Sequence, residues 1–265
     1  MRRTWRPRLV ALDIDGTIVD HDSVLPDALR DAIRRIAEEG TQVVLSTGRS
    51  WHDTRDVVDR LGLPEGPYVC SNGAVVVRYP PLEVVRMVTF DPADVIERVQ
   101  RMAPHALIAV EEVGRGYRLN APFPPGDLSG TMEVVGVDDL ASRPVTRVIV
   151  RDPGSSPEDF IELAERLGLH GVSYFIGWSA WLDIAPEGVH KAMALADVCA
   201  RRGIDPADVL AMGDGRNDIE MLRWAGRGVA LGDAPLEVRL AADAVTGLFD
   251  EGGTLAELSR WFDLD

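Results

Sequence analysis

The stretch Arg8–Asp20, RLVALDIDGTIVD, places an apolar run immediately before two aspartates, Asp13 and Asp15. A short continuous apolar run is typical of a strand that is buried on both faces of a parallel sheet. In an extended strand, residues two positions apart point to the same side, so the two carboxylates repel each other unless a cation or hydrogen bonds compensate. The pair therefore predicts either a turn with solvated acids or a site in which both carboxylates take part in chemistry.

The segments that follow alternate between helix and strand patterns. Residues 26–40, PDALRDAIRRIAEEG, predict a helix with one apolar face that ends at Gly40. The alternation continues through QVVLSTG (42–48), WHDTRDVVDRLG (51–62) and YVCSNGAVVV (68–77), and it returns in a helix ending at Gly203 and in VLAMGD (209–214), DIEMLRWAG (218–226) and GVAL (228–231). This order predicts an α/β fold with a doubly wound parallel sheet.

The middle of the chain has a different texture. Residues 83–185 hold several strand candidates, two helix candidates around PADVIERVQRM (92–102) and PEDFIELAERLG (157–168), and a loop rich in Pro and Gly. We therefore expect an α+β domain inserted into the core. The core would then be discontinuous, formed by residues 1–82 and 186–265, with residues 83–185 as the inserted domain.

Composition and charge narrow the function. The chain has 265 residues, 46% of them hydrophobic, and a formal net charge of −15, which disfavours a nucleic-acid partner. An anionic substrate would need a local cationic site or a metal. Two cysteines, Cys70 and Cys199, lie far apart and predict buried thiols, and no apolar run reaches membrane-spanning length. We expect a cytoplasmic protein that has no membrane or nucleic-acid partner.

Polar residues follow the core strands at the points where ligands bind in open α/β sheets. Asp13 and Asp15 follow the first strand, and Ser46-Thr47-Gly48-Arg49 follows the second. The hydroxyls and the helix start behind them favour an anion, although Thr47 or Ser50 would also serve as an ordinary helix N-cap.

Two further segments complete the pattern. Lys191 stands near the start of its helix, where a cation is electrostatically unfavourable, so a second role in pairing with carboxylates or phosphate is the alternative to a solvent-facing lysine. Asp214 ends a strand and Asp218 opens the next helix, where it could be an N-cap. Carboxylate oxygens are the ligands that Mg²⁺ prefers, together with water and substrate phosphate.

Together these segments resemble a known family. DIDGT (13–17), STGR (46–49), Lys191 and GDGRNDIEML (213–222) resemble the four signature motifs of the haloacid dehalogenase superfamily in its phosphatase form. SNGA (71–74), LDIAPEGVHK (182–191) and the large insert resemble the Cof-like branch with a type IIB cap domain. The resemblance implies a Rossmann-like core and a Mg²⁺-dependent phosphatase that acts on small phosphate esters, with sugar phosphates expected first.

The resemblance also implies residue roles. Asp13 would be the nucleophile that forms an aspartyl-phosphate, and Asp15 would protonate the leaving group and then activate water. Thr47 would hydrogen-bond the phosphoryl group, and Lys191 would balance its charge. The other phosphate-binding candidates are Gly48, Arg49, Asn72 and Asn217. The Mg²⁺ candidates are Asp13, Asp15 through its backbone carbonyl, Asp214 and Asp218.

Some alternatives stay open. A phosphomannomutase-like phosphomutase can share these motifs, and a non-catalytic protein that binds phosphorylated metabolites can share the fold. His190 stands where a small Ser is common in this branch, and we expect a passive surface residue, with contact to substrate or tuning of Lys191 as the alternatives. In the insert, Trp178 and Trp181 would stack on a sugar or belong to the core. Arg115 and Arg118 would meet a second anionic group or lie on the surface.

Overall fold

The computed structural model describes residues 5–156, 162–163, 165–167, 172–176 and 181–264, with backbone alone for 172–176. By their internal contacts these residues form two units. Unit 1 comprises Met1–Gly48, Thr54–Val85 and His190–Asp265, and unit 2 comprises Arg49–Asp53 and Arg86–Val189. The domain limits expected from the sequence, between 82 and 83 and between 185 and 186, stay predictions.

Unit 1 is built on a five-stranded sheet in which every pairing is parallel. The strand order is β14-β13-β12-β1-β2, so the chain runs outward from β1 in one direction and later returns to pair β12 with the other side of β1. The strands are β1 (Leu9–Leu12), β2 (Gln42–Leu45), β12 (Val209–Gly213), β13 (Arg227–Ala230) and β14 (Ala244–Val245). All four residues of β1 are fully buried, as the apolar run predicts.

Helices of unit 1 carry the periodicity seen in the sequence. They are α1 (Asp27–Glu38), α2 (Trp51–Leu61), which begins in unit 2, α5 (Lys191–Arg202), α6 (Ile219–Trp224), α7 (Leu236–Ala241) and α8 (Gly253–Leu258). In α1 the buried residues Leu29, Ile33 and Ile36 share one face. Helices α1 and α5 are followed by Gly40 and Gly203, whose φ angles of 91° and 61° suit glycine, as the sequence predicts.

A second, three-stranded sheet follows α2 in the chain. Its strands are β3 (Gly66–Cys70), β4 (Val75–Tyr79) and β5 (Glu83–Met87), in the order β3-β4-β5. A parallel bridge between Ser46 and Val69 places β3 beside the end of β2. One turn, Ser71–Gly73, joins β3 to β4, as the Asn-Gly signal predicts.

Unit 2 holds a six-stranded sheet of order β10-β11-β9-β6-β7-β8, antiparallel except for the pairing of β7 with β8. The elements are α3 (Ala93–Met102), β6 (Leu107–Glu112), β7 (Gly116–Leu119), β8 (Thr131–Val134), α4 (Val137–Leu140), β9 (Val148–Arg151), β10 (Val172–Ile176) and β11 (Trp181–Pro186). Side chains of α3, β6, β9 and β11 form its main apolar core.

Several expectations for the insert can be compared with unit 2. The α+β character is confirmed, whereas β7 and β10 were not expected from the sequence. Most of the helix expected over 157–168, and also Trp178, lie outside the described residues. Within the part of the chain that is described, no helix combines the length and apolarity needed to cross a membrane.

Candidate active site

The order of the core strands fixes where the site lies. Strands β1 and β12 are neighbours, and the chain leaves β1 and returns to β12 from opposite sides, so their carboxyl ends meet at a switch point of the topology. Register pairs Leu12 with Met212, and the Asp13 amide donates to the Met212 carbonyl at 3.0 Å. Asp13 and Asp214 therefore leave adjacent strands at the same edge of the sheet.

Three carboxylates and one ammonium form the centre of this site. The Lys191 Nζ lies 2.7 Å from Asp13 Oδ1 and 2.6 Å from Asp218 Oδ1. One carboxylate oxygen from each of Asp13, Asp214 and Asp218 lies within 4.8 Å of the other two. Lys191 and Asp218 are fully buried and Asp13 is 5% exposed, so the solvent-facing alternative for Lys191 is wrong.

Asp218 performs a different local task from the one its sequence position suggested. It begins a helix, but its side chain does not cap that helix. Instead its Oδ2 accepts from the backbone N–H groups of Asp214, at 3.1 Å, and Gly215, at 2.9 Å, while Oδ1 accepts from Lys191. Both oxygens are thus used to fix the loop that carries Asp214 and to hold the ammonium.

The loop after β1 brings Gly16 and Thr17, two residues of DIDGT for which the sequence predicts no role of their own, next to Asp214. Thr17 Oγ1 donates to Asp214 Oδ1 at 3.3 Å. Gly16 has a φ of 69°, and a Cβ at this position would lie 2.5 Å from Asp214 Oδ2. The glycine in DIDGT therefore lets the loop approach the carboxylate closely, which is a signal that the motif itself carried.

Asp13 and Asp15 do not crowd one face of a strand, as their spacing of two residues would suggest. Strand β1 ends at Leu12, so both aspartates lie beyond the strand and the same-face argument does not govern them. Asp13 is buried and Asp15 is exposed. The two side chains therefore occupy different environments, which suits two different chemical roles.

Burial and charge perturb the acidity of this cluster. Burial, reinforced by Asp218, raises the pKa of Asp13 well above its ordinary value, although Lys191 opposes the shift. Burial and Asp218 also raise the pKa of Asp214, to about 7. For Lys191 burial alone would lower the pKa, but Asp13 and Asp218 outweigh it, so that the pKa is raised and the ammonium stays charged.

The charge balance of the cluster suits a divalent cation. Three carboxylates face one ammonium, which leaves two negative charges uncompensated when all the acids are ionised. The donors are carboxylate oxygens without nitrogen or sulfur, which is the set that Mg²⁺ prefers over transition metals. Asp13, Asp214 and Asp218 therefore fit a Mg²⁺ ion, whose positive charge would offset the burial and mutual repulsion that raise the pKa values of Asp13 and Asp214.

The second group of predicted residues lies around the end of β2. Thr47 is fully buried; its amide donates to the Val69 carbonyl and its carbonyl accepts from the Asn72 amide. Asn217 Nδ2 donates to Asn72 Oδ1 at 2.9 Å. A Cβ on Gly48 would lie 3.2 Å from Asn72 Oδ1 and 3.4 Å from Asn217 Nδ2. The structure thus brings Thr47, Gly48, Asn72 and Asn217 together.

Other predicted residues fall outside this cluster. Arg49 belongs to the segment Arg49–Asp53, which groups with unit 2, and its role stays a prediction. Ser50 caps α2, because its Oγ accepts from the Asp53 amide at 3.2 Å. His190 caps α5, since its Nδ1 accepts from the Met193 amide at 3.3 Å. His190 is thus partly buried and has a structural role at the start of α5, and a further role toward substrate or Lys191 stays a prediction.

In unit 2 the structure bears on the alternatives left open for Trp181 and Arg118. Trp181 is partly buried and packs against a cluster of buried apolar residues, with its ring centroid 6.4 Å from that of Phe123, which favours the core alternative. Arg118 is 6% exposed, and its Nε donates to Glu112 Oε1 at 2.6 Å. The expectation of a surface arginine is wrong at this position.

Comparison with known proteins identifies the family to which the chain belongs. The model of the haloacid dehalogenase-like hydrolase family matches residues 10–258. The chain belongs to this family. The resemblance on which the sequence analysis relied is thereby confirmed, and so is the expected fold class of a Rossmann-like core with an inserted domain.

Curated relatives and solved structures agree with this assignment. The chain is 28% identical to a 5-amino-6-(5-phospho-D-ribitylamino)uracil phosphatase of Bacillus subtilis, covering 98% of this chain and 99% of the relative. It is 31% identical to a phosphoglycolate phosphatase of Methanopyrus kandleri, covering 89% of each. A structure described as a subclass IIB sugar phosphatase of this superfamily superposes with a TM-score of 0.81 at 21% identity, covering 97% of this chain and 99% of that one. At that identity the last comparison speaks for the fold alone.

Proposed function

We propose that this protein is a Mg²⁺-dependent phosphatase that hydrolyses small phosphorylated metabolites, sugar phosphates among them, through an aspartyl-phosphate on Asp13. The observation that carries the proposal is the buried Asp13 carboxylate, held 2.7 Å from the Lys191 ammonium inside a cluster of three aspartates. Relatives across the whole chain are named as phosphatases of small phosphate esters. The substrate class within that range is our inference from the sequence resemblance.

The first half of the reaction transfers the phosphoryl group to the enzyme. A carboxylate oxygen of Asp13 attacks phosphorus, and the bond from phosphorus to the ester oxygen breaks. The exposed Asp15 gives its proton to the departing alkoxide, so an alcohol leaves and Asp15 becomes a carboxylate. Lys191 holds Asp13 in place through one oxygen, and Asp218 holds Lys191.

The second half returns Asp13 to its starting state. Asp15, now a carboxylate, takes a proton from water as that water attacks phosphorus, and the bond from phosphorus to Asp13 breaks. Inorganic phosphate leaves and Asp15 is again protonated. Thr47 and Asn217, at the end of β2 and in the loop after β12, would donate to the phosphoryl oxygens throughout. A Mg²⁺ ion held by Asp13, the Asp15 carbonyl, Asp214 and Asp218 would neutralise charge on those oxygens.

A phosphate-release screen tests the activity. Purified protein with Mg²⁺ should release phosphate from members of a panel of sugar phosphates, nucleotides and cofactor phosphates, and EDTA should abolish the release. Asp13→Asn should be inactive, whereas Asp31→Asn, a change at an exposed residue of α1, should leave the rate unchanged. Activity that persists in Asp13→Asn would refute the nucleophile assignment. Formation of an isomeric sugar phosphate in place of inorganic phosphate would favour the phosphomutase alternative.

A measurement independent of turnover tests the covalent step. Beryllium fluoride adds to a carboxylate oxygen as a mimic of an acyl-phosphate, so with Mg²⁺ it should raise the melting temperature of the wild type. Asp13→Asn should show no such shift, because it lacks the acceptor oxygen with its negative charge. An equal shift in both proteins would contradict the aspartyl-phosphate, and no shift in either would support the non-catalytic alternative.

A further inference from the structure

The turn Ser71–Gly73 has an unusual backbone. All three residues have positive φ angles, 51°, 53° and 100°, and all three are buried. Apart from Ser23, Ser71 and Asn72 are the non-glycine residues with positive φ in the part of the chain that is described. Such conformations are costly for residues with a Cβ and persist only where the surroundings hold them. The surroundings of this turn are therefore informative.

This turn contacts three segments that carry the proposed phosphate-site residues. The Asn72 amide donates to the Thr47 carbonyl at 3.0 Å, which ties the turn to the end of β2. Asn72 Oδ1 accepts from Asn217 Nδ2 at 2.9 Å, which ties it to the loop after β12. A Cβ on Gly73 would lie 2.5 Å from the carbonyl oxygen of His190, the residue that precedes Lys191.

The contact between the two amides defines how Asn217 is oriented. Asn72 takes one of the two N–H groups of the Asn217 side chain, which leaves the second as a donor. On the other side, Asn217 Oδ1 would lie 2.5 Å from a Cβ built on Gly215, so this oxygen is close to Gly215. The Asn217 amide is thus oriented by its hydrogen bond to Asn72, with its NH₂ group directed toward the turn.

We propose that Asn72 is a positioning residue, which serves phosphoryl transfer by orienting Asn217 and fixing Thr47 rather than by binding phosphate itself. The left-handed turn is what allows this: its main chain reaches Thr47 while its side chain reaches Asn217. Asn tolerates the left-handed region better than other residues with a Cβ. The inference rests on the proposed phosphatase function, and it differs from the direct phosphate contact that the sequence predicts for Asn72.

A double-mutant cycle on kcat/KM tests this role. Asn72→Gly keeps the left-handed backbone and removes the amide, so we expect kcat/KM to fall by about ten- to a hundredfold, mainly through kcat. Asn217→Ala should fall by at least as much. In the double variant the two effects should not multiply, and its kcat/KM should stay within about twofold of Asn217→Ala. Effects that multiply would show that Asn72 contacts phosphate independently, and an unchanged Asn72→Gly would overturn the proposal.

A second substitution separates the amide from the backbone. Asn72→Ala lacks the same amide but keeps a Cβ in the left-handed region, so its melting temperature should fall further than that of Asn72→Gly. Both should show the same loss of kcat/KM if the amide is what matters. A kinetic loss that follows the melting temperature would instead mark a merely structural residue.

Binding of orthovanadate with Mg²⁺, measured by calorimetry, keeps this test distinct from that of the proposed function. The wild type, the two single variants Asn72→Gly and Asn217→Ala, and the double variant are compared. The dissociation constant of the double variant should be close to that of Asn217→Ala, as for kcat/KM. A wild type that binds vanadate with this coupling but releases no phosphate would refute the phosphatase and uphold the positioning role. If the wild type releases phosphate but the two substitutions act independently on vanadate binding, the phosphatase function is supported and the positioning role is refuted.

Discussion

Replacing Lys191 by methionine removes the ammonium that lies between Asp13 and Asp218 at the centre of the site. Asp13 and Asp218 would each lose a charge-assisted hydrogen bond, of 2.7 and 2.6 Å, at positions that are nine-tenths buried or more. Breaking a buried ion pair by deleting one partner costs about 3–5 kcal/mol. We therefore expect Lys191→Met to lower the free energy of unfolding by about that amount near neutral pH without metal.

The loss should depend on pH in a defined direction. Lys191 lowers the pKa of Asp13, so its removal raises that pKa further above the unfolded value. A carboxyl whose folded pKa is raised gives stability that is present below its unfolded pKa and is lost as the pH rises through its folded pKa. The gap between wild type and Lys191→Met should therefore be wider near neutral pH than in mild acid.

Urea unfolding in EDTA at both pH values measures this gap. The matched control is Arg201→Met on the same helix, where an exposed arginine lies 3.0 Å from Asp197 and a loss below about 1 kcal/mol is expected. The slope of the unfolding free energy against urea should not change between variants. The loss of unfolding free energy in Lys191→Met should exceed that of the control and differ between the two pH values. If either condition fails, Lys191 is not a buried, charged partner of Asp13 and Asp218.

Three further predictions follow from the geometry of the site. Mg²⁺ should raise the melting temperature more near pH 8 than near pH 5, because the raised pKa values of Asp13 and Asp214 let protons compete with the metal in acid, and a shift independent of pH would contradict this. His190→Ala should cost about 1 kcal/mol of stability through loss of the cap on the Met193 amide, whereas His190→Ser should keep it, so equal losses would refute the capping role. Gly16→Ala should lower kcat/KM at least about a hundredfold, since its Cβ would lie 2.5 Å from Asp214 Oδ2, and full activity in a phosphate-release assay would contradict that contact.

The buried parallel sheet, and the location of the site at its carboxyl edge, could be predicted from the sequence because both follow from short-range patterns. The run Leu9–Leu12 is apolar at every position, which predicts a strand buried on both faces. The carboxyl ends of parallel strands meet at one edge, so the sequence predicts that Asp13 and Asp214 lie at the same edge of the sheet. That they are also close together follows from the pairing of β1 with β12, which depends on the strand order.

The pairings within the site could not be predicted in the same way. Lys191 and Asp13 are separated by 178 positions, and Asn217 and Asn72 by 145, so their contact depends on the exact packing of loops and helices. Asp218 shows the limit clearly. Its position at a helix start predicts an N-cap, but the backbone amides of Asp214 and Gly215 and the Lys191 ammonium offer more partners than the helix does.

Two polar side chains, Arg118 in the insert and His190 in the core, have partners that their residue types do not predict. An arginine is exposed in most settings, but Arg118 lies beside Glu112 and donates to the Asp139 carbonyl, so its charge is compensated where it is buried. Outside the insert, the residue type of His190 gives no sign of its partner, because its Nδ1 accepts from the Met193 amide and caps a helix as a Ser hydroxyl does. Burial of a polar residue depends on its partners, and those lie elsewhere in the chain.

The composition holds one signal that points to the site without any motif. The 28 Lys and Arg residues of the chain include a single lysine, Lys191, and that lysine is fully buried. An ammonium is a compact charge with three donors, so it fits between Asp13 and Asp218, whereas a planar guanidinium binds carboxylates best as a fork. The other 27 of these residues are arginine. The single lysine lies between two converging carboxylates, a position that suits the smaller cation. A lone residue type in an otherwise uniform composition is therefore a reason to examine what surrounds it.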